Sequence, residues 1–182
     1  MALSAARNTW MSPLREGELL RIPMAADAVI YLGGMVCVDG DGYAVAAADT
    51  ADYKYAGICV EDPQNPRAAA GGVYDNTDGD DGDMEVVVRR PVRFRMPLAL
   101  RTPQQDMLFA KVYVYDDNHV AVHQWDVAND ILCGHIVRLP GTTLAAHPEE
   151  QFATDEVEVE AYGEPFDWGT DLTTTSTTTA QA

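Results

Sequence analysis

Met84-Glu85-Val86-Val87-Val88-Arg89-Arg90-Pro91-Val92-Arg93-Phe94-Arg95-Met96 is the stretch on which the reading of the fold turns. Its first half runs through three consecutive valines. Such β-branched side chains lose rotamer freedom in a helix and pack well on a pleated surface. Pro91 interrupts it. The second half alternates, with Val92, Phe94 and Met96 on one face and Arg93 and Arg95 on the other, the period of two that marks a strand buried on one side. Two strands meeting at a proline predict a β protein.

The flanks carry the same signals outward. On the N-terminal side, Leu19–Pro23 reads as an edge strand, because Pro23 has no amide to give to a ladder. Residues 28–31 lead to a Gly33-Gly34 turn, and residues 35–38 form a strand. Asp39-Gly40-Asp41-Gly42 is a hairpin turn that returns through residues 43–45, and residues 55–60 form the next strand. On the C-terminal side, residues 107–115 and 119–122 flank an Asp116-Asp117-Asn118 hairpin loop, and residues 131–139 close the series. About eight short strands between Gly, Asp, Asn and Pro turns predict an antiparallel barrel or sandwich. Short helices are admissible only at residues 46–53 and 103–109.

Composition divides the chain into three parts. Residues 1–18 show neither period and read as an N-terminal arm, in which Trp10, Met11 and Leu14 are apolar candidates for burial on a neighbouring subunit. Residues 19–140 are the β core. Residues 141–182 form an acidic, Thr-rich extension with no Lys or Arg, although Glu156-Val157-Glu158-Val159-Glu160 alternates well enough to pair as a strand with its valines buried. Tyr162, Phe166 and Trp168 stand in an acidic, loop-like context.

The formal net charge is −17. A chain this acidic repels phosphates, which argues against nucleic acid as a partner. Cys37, Cys59 and Cys133 each lie in an apolar run and read as reduced core thiols, suited to folding in a cytoplasm. No leader and no apolar run of membrane-spanning length is evident.

Residues that could do chemistry are few, and no catalytic residue and no cofactor is expected. His119 and His123 share a strand face but lack the further ligands that zinc needs. Ser4, Ser12 and Ser176 sit near the termini without a nucleophile turn. Asp75, Asp78, Asp80 and Asp83 could offer oxygens to calcium, yet the EF-hand spacing fails, so a solvated loop tip is the competing reading. Arg89, Arg90, Arg93 and Arg95, followed by Arg101, concentrate half of the arginines within thirteen residues. They either balance the chain's own carboxylates or form a patch for a partner subunit.

Taken in order, LLRIPMAADAVIYLGGMVCVDGDGYAVAA, YAGICVED and MEVVVRRPVRFRM, followed by VYVYDDNHVAV and ILCGHIVRL, resemble the tailed-bacteriophage capsid decoration (cement) proteins. The resemblance covers residues 19–139. It implies a small antiparallel β-barrel or β-tulip-like domain with extended N- and C-terminal arms. It further implies a non-enzymatic virion protein, made in the host cytoplasm, that binds the major capsid protein on the outer capsid surface and itself forms a homotrimer. Neither nucleic acid nor membrane is an expected partner. The alternative is a head-fibre or glycan-binding β module, with Trp10, Trp125 and Trp168 as stacking residues. If residues 1–18 reach a neighbour, trimming them lowers capsid occupancy more than melting temperature.

Overall fold

The computed structural model describes residues 3–7, 9, 19–90, 93–140 and 153–161. Its strands are β1 (Leu19–Pro23), β2 (Val29–Tyr31), β3 (Met35–Val38), β4 (Ala44–Ala46), β5 (Lys54–Cys59), β6 (Val73–Asp75), β7 (Glu85–Arg89), β8 (Arg93–Pro97), β9 (Lys111–Val114), β10 (Val120–Ala121), β11 (Leu132–Arg138) and β12 (Glu156–Ala161). They form two five-stranded sheets, ordered β1-β7-β5-β3-β4 and β10-β9-β11-β12-β8, and a β2-β6 ribbon. Every ladder is antiparallel. The protein is mostly β, as the alternation predicts.

The decisive stretch divides between the sheets. β7 joins the first, between β1 and β5, and β8 joins the second. β1 is an edge strand, as Pro23 requires. The Asp39–Gly42 hairpin closes as expected: the Tyr43 carbonyl accepts from Asp39 N at 2.9 Å, and the Asp39 carboxylate accepts from Asp41 N and Tyr43 N.

Three layers result. Phe94, Met96, Val112, Val114, Ile136, Val157 and Val159 of the second sheet pack against Met35, Cys37 and Ile58 of the first. The opposite pleat of the first sheet presents Val36, Val38, Ala56, Val86 and Val88 to Ile30 and Tyr74 of the ribbon. The first sheet is thus a middle layer, apolar on both faces, and β3 is buried at all four residues.

Two expectations change in detail. Residues 46–53 form no helix; Ala48 makes a single bridge to Asp116, and a turn follows at residues 51–52. The 103–109 region holds only the 3₁₀ turn Gln105–Met107, while the 3₁₀ segments Pro66–Gly72 and Gln124–Asp126 had no signal in the sequence. The division at residue 140 places Glu156–Ala161 in an extension, whereas the structure places it between β11 and β8. Gly134 makes this insertion possible, because a Cβ there would come within 2.3 Å of the Glu160 carbonyl oxygen.

One isolated parallel bridge lies beside the outer strands of each sheet. Met24, just past β1, touches Ala44 of β4, and Leu98, just past β8, touches Val120 of β10. Among the described residues no helix is long and apolar enough to cross a membrane.

Candidate functional site

The arginine-rich strand was the first candidate surface. β8 and β12 both alternate charged with apolar residues, and their register sets opposite charges side by side: Arg95 opposite Glu158, and Arg93 opposite Glu160. Because Phe94, Met96, Val157 and Val159 face the core, the charged residues share the other face of the sheet. Arg93 pairs with Glu160 at 3.1 Å and with Glu158 at 3.8 Å. Glu158 also lies 3.5 Å from Arg95 Nε and 3.7 Å from Arg138 Nη1. Arg95, Arg138 and Glu158 are only 6%, 6% and 3% exposed.

For Arg93 and Arg95, charge balance within the chain therefore describes what the guanidiniums do, and Arg95 is too buried to be offered to a partner. Arg89 and Arg90 are partly buried, Arg89 within β7 opposite Leu19 and Ile58. Arg101 forks onto Asp126 at 2.8 and 3.1 Å. Sequence reading missed Arg138 and the role of Glu158. The signal was present, since two strands alternated with the same period and opposite charge.

Trp10, Met11 and Leu14 lie outside the described residues, as do Tyr162, Phe166 and Trp168. The arm residues that are described are fastened to the body. Leu3 N donates to Asp117 Oδ1 at 2.7 Å, and Arg7 N donates to the Leu32 carbonyl at 2.8 Å. The Arg7 guanidinium donates to the Asn118 backbone and side-chain oxygens and pairs with Glu156 at 3.2 Å. The buried Thr9 hydroxyl donates to the Gly33 carbonyl. Glycines clear the seat: a Cβ on Gly33 would lie 1.9 Å from the Arg7 carbonyl oxygen, and one on Gly34 or Gly72 would lie 2.8 Å from Leu3 or Ala6. Burial pushes the Asp117 carboxyl up from its ordinary value, against the lowering effect of the Leu3 amide.

The acidic loop does not gather its carboxylates. Asp75 accepts from Thr77 N and Oγ1, Asp83 accepts from Asp80 N, and Asp81 accepts from Ala26 N. Asn76, nearly fully buried, ties the loop to the Ala25 and Asp80 carbonyls. Among the described residues no three His, Cys, Asp or Glu side chains converge to hold a metal ion. In this arrangement Asp75, Asp78, Asp80 and Asp83, the calcium candidates weighed from the sequence, do not converge, and hydrogen bonds within and beside the loop organise it.

His119 and His123 do not share a strand face, because β10 holds only Val120–Ala121. The His119 ring bonds Asp116 at 2.9 Å beside a shallow cleft that Ser4 also lines, but no hydrogen bond joins Ser4 to the ring. His123 instead stacks on Trp125, with centroids 4.2 Å apart and planes 10° from parallel. The three cysteines are buried free thiols. Burial raises Cys37 and Cys59 to about 12 and pushes Cys133 higher still, so all three stay protonated and unreactive.

The conspicuous surface residues are apolar. Leu100, Phe109 and Trp125 are 70%, 71% and 75% exposed. Leu100 and Phe109 have φ of 62° and 66°, a left-handed backbone that costs such side chains about 1–2 kcal/mol each. Nothing in the sequence separated these residues from core positions. Compared with family models, with curated proteins and with solved structures, the chain matches none of them.

Proposed function

We propose that this chain is a structural protein of a tailed-phage virion, a decoration or cement protein that binds the outer face of the capsid and does no covalent chemistry. The observation that carries this reading is how the described side chains are used. The guanidiniums of Arg7, Arg21, Arg93, Arg95, Arg101 and Arg138 pair with the chain's own carboxylates, and the thiols are buried and protonated. Leu100, Phe109 and Trp125 are meanwhile displayed to solvent. A body of this kind is equipped for adhesion, since a few anchors, aromatic ones such as Trp prominent among them, supply most of the binding energy at protein interfaces.

In this reading the sheets belong to a small antiparallel β-barrel or β-tulip-like domain, for which the bridges Met24–Ala44 and Leu98–Val120 are the support. The partners are the major capsid protein and further copies of the chain, as a homotrimer. Many modest contacts on one shell add through multivalency. The net charge of −17 supports a surface that avoids nucleic acid.

The test is sedimentation of the purified protein with empty heads that lack it. The expected result is saturable cosedimentation that weakens when Leu100 and Phe109 are replaced by Ser. A protein that stays in the supernatant at micromolar concentration, with intact heads in the pellet, overturns the proposal.

A further inference from the structure

Trp125 stands on a single 3₁₀ turn, Gln124–Asp126, with 75% of its surface in solvent. One face of the indole is covered by the parallel His123 ring, 4.2 Å away. The polar groups around the turn are fixed in place. Arg101 forks onto the Asp126 carboxylate, and Gln124 Nε2 donates to Asp130 at 2.9 Å, leaving the Gln124 amide oxygen as an acceptor. The following loop is anchored by Asp49, whose carboxylate accepts from Ala128 N and Asn129 N at 2.5 and 2.8 Å. The hydrogen bond from the Arg101 guanidinium holds the Asp126 carboxyl below its usual range, against the opposing effect of burial.

From this geometry we infer that the Trp125 turn is a binding site for a neutral sugar ring. A pyranose has an apolar face of C–H groups and a rim of hydroxyls. The free indole face matches the first, and the exposed Asp130 carboxylate and the Gln124 oxygen match the second as acceptors. The rigid support lowers the entropy lost on binding. Nucleic acid bases also stack on exposed aromatics, but their phosphates meet a chain of net charge −17. Acidic glycans are disfavoured on the same ground. The inference does not depend on the capsid reading.

The test is affinity electrophoresis of the full chain through gels containing hydroxyethyl cellulose, dextran or soluble starch, with polygalacturonate as the acidic control. Retardation by at least one neutral polymer is expected, abolished by Trp125→Ala, retained in part by Trp125→Phe, and absent with polygalacturonate. Because Trp125 is exposed, the Ala variant should melt within a degree or two of the wild type, which separates lost binding from lost folding. No retardation by any neutral polymer, or equal retardation of the Ala variant, overturns the inference. So does an Ala variant that keeps its sugar response but loses cosedimentation with heads, since Trp125 would then be a protein contact.

Discussion

β3 and β12 are both interior strands of five-stranded sheets, and they bury their second faces by different means. In β3, Met35 and Cys37 enter one apolar cluster while Val36 and Val38 enter the other. In β12, Val157 and Val159 enter the core, while Glu158 on the opposite face is buried among Arg93, Arg95 and Arg138. The apolar solution is graded and forgiving. The ionic one is conditional, because desolvating charges costs several kcal/mol per ion and is offset only while every partner stays in place. One face of the molecule therefore tolerates variation that the other does not.

The largest expected effect is on the ionic side. Glu158→Gln keeps the shape but removes the charge that three guanidiniums face, and the expected loss is about 3–5 kcal/mol. At roughly 2–4 °C per kcal/mol for a chain of this size, thermal melting should show a drop of about 6–20 °C. A drop within 2 °C would break the contrast. Next is the seat of the N-terminal segment. Gly33→Ala forces the Arg7 carbonyl away and loosens the bonds of Leu3, Arg7 and Thr9, for about 2–4 kcal/mol by denaturant melting. Removing residues 1–9 should cost about the same, so that under the proposed capsid role melting temperature and occupancy fall together. This revises the expectation that trimming the arm lowers occupancy more than melting temperature.

On the apolar side, Ile58→Val should cost only about 0.5–1.5 kcal/mol, measured as a shift in denaturant midpoint with unchanged slope. Smaller still is Arg101→Gln at the Asp126 pair, where the guanidinium is open to solvent: less than about 1 kcal/mol, and much reduced in 1 M salt, where the Glu158 effect persists. The last test sharpens the comparison through pH. The Arg21 guanidinium holds Asp62 below the usual carboxylate range. Its contribution is therefore complete above the unfolded value near 3.9 and is lost as pH falls through the lower folded value. Melting temperature followed from pH 5 to pH 2 should fall, and Arg21→Gln should make that fall shallower.

The strands themselves were legible because their cue is local. Met84–Met96 announces two strands, Asp39–Gly42 a hairpin and Pro23 an edge. Which strands pair was not legible, because that depends on partners far apart in the chain. Glu158 meets Arg95 across 63 positions; the alternation at residues 156–160 announces a strand and its charges hint at a basic partner, but not that the strand lies in the sheet's interior. The same distance hid the N-terminal segment, whose anchor Asp117 lies 114 residues from Leu3. The arginine cluster was visible as an excess, but whether its partner lay inside or outside the chain was decided by register. Trp125 carried no cue, since an isolated aromatic between polar residues reads alike whether it is buried or displayed.

The most direct test of the proposed virion role is a cryo-EM map of phage particles purified from cells that make this protein. The account predicts extra density on the outer capsid surface, with three copies around a common axis and two five-stranded sheets in each, β12 lying between β11 and β8. A fully resolved capsid shell without such density, with the protein absent from the purified particles, would contradict it.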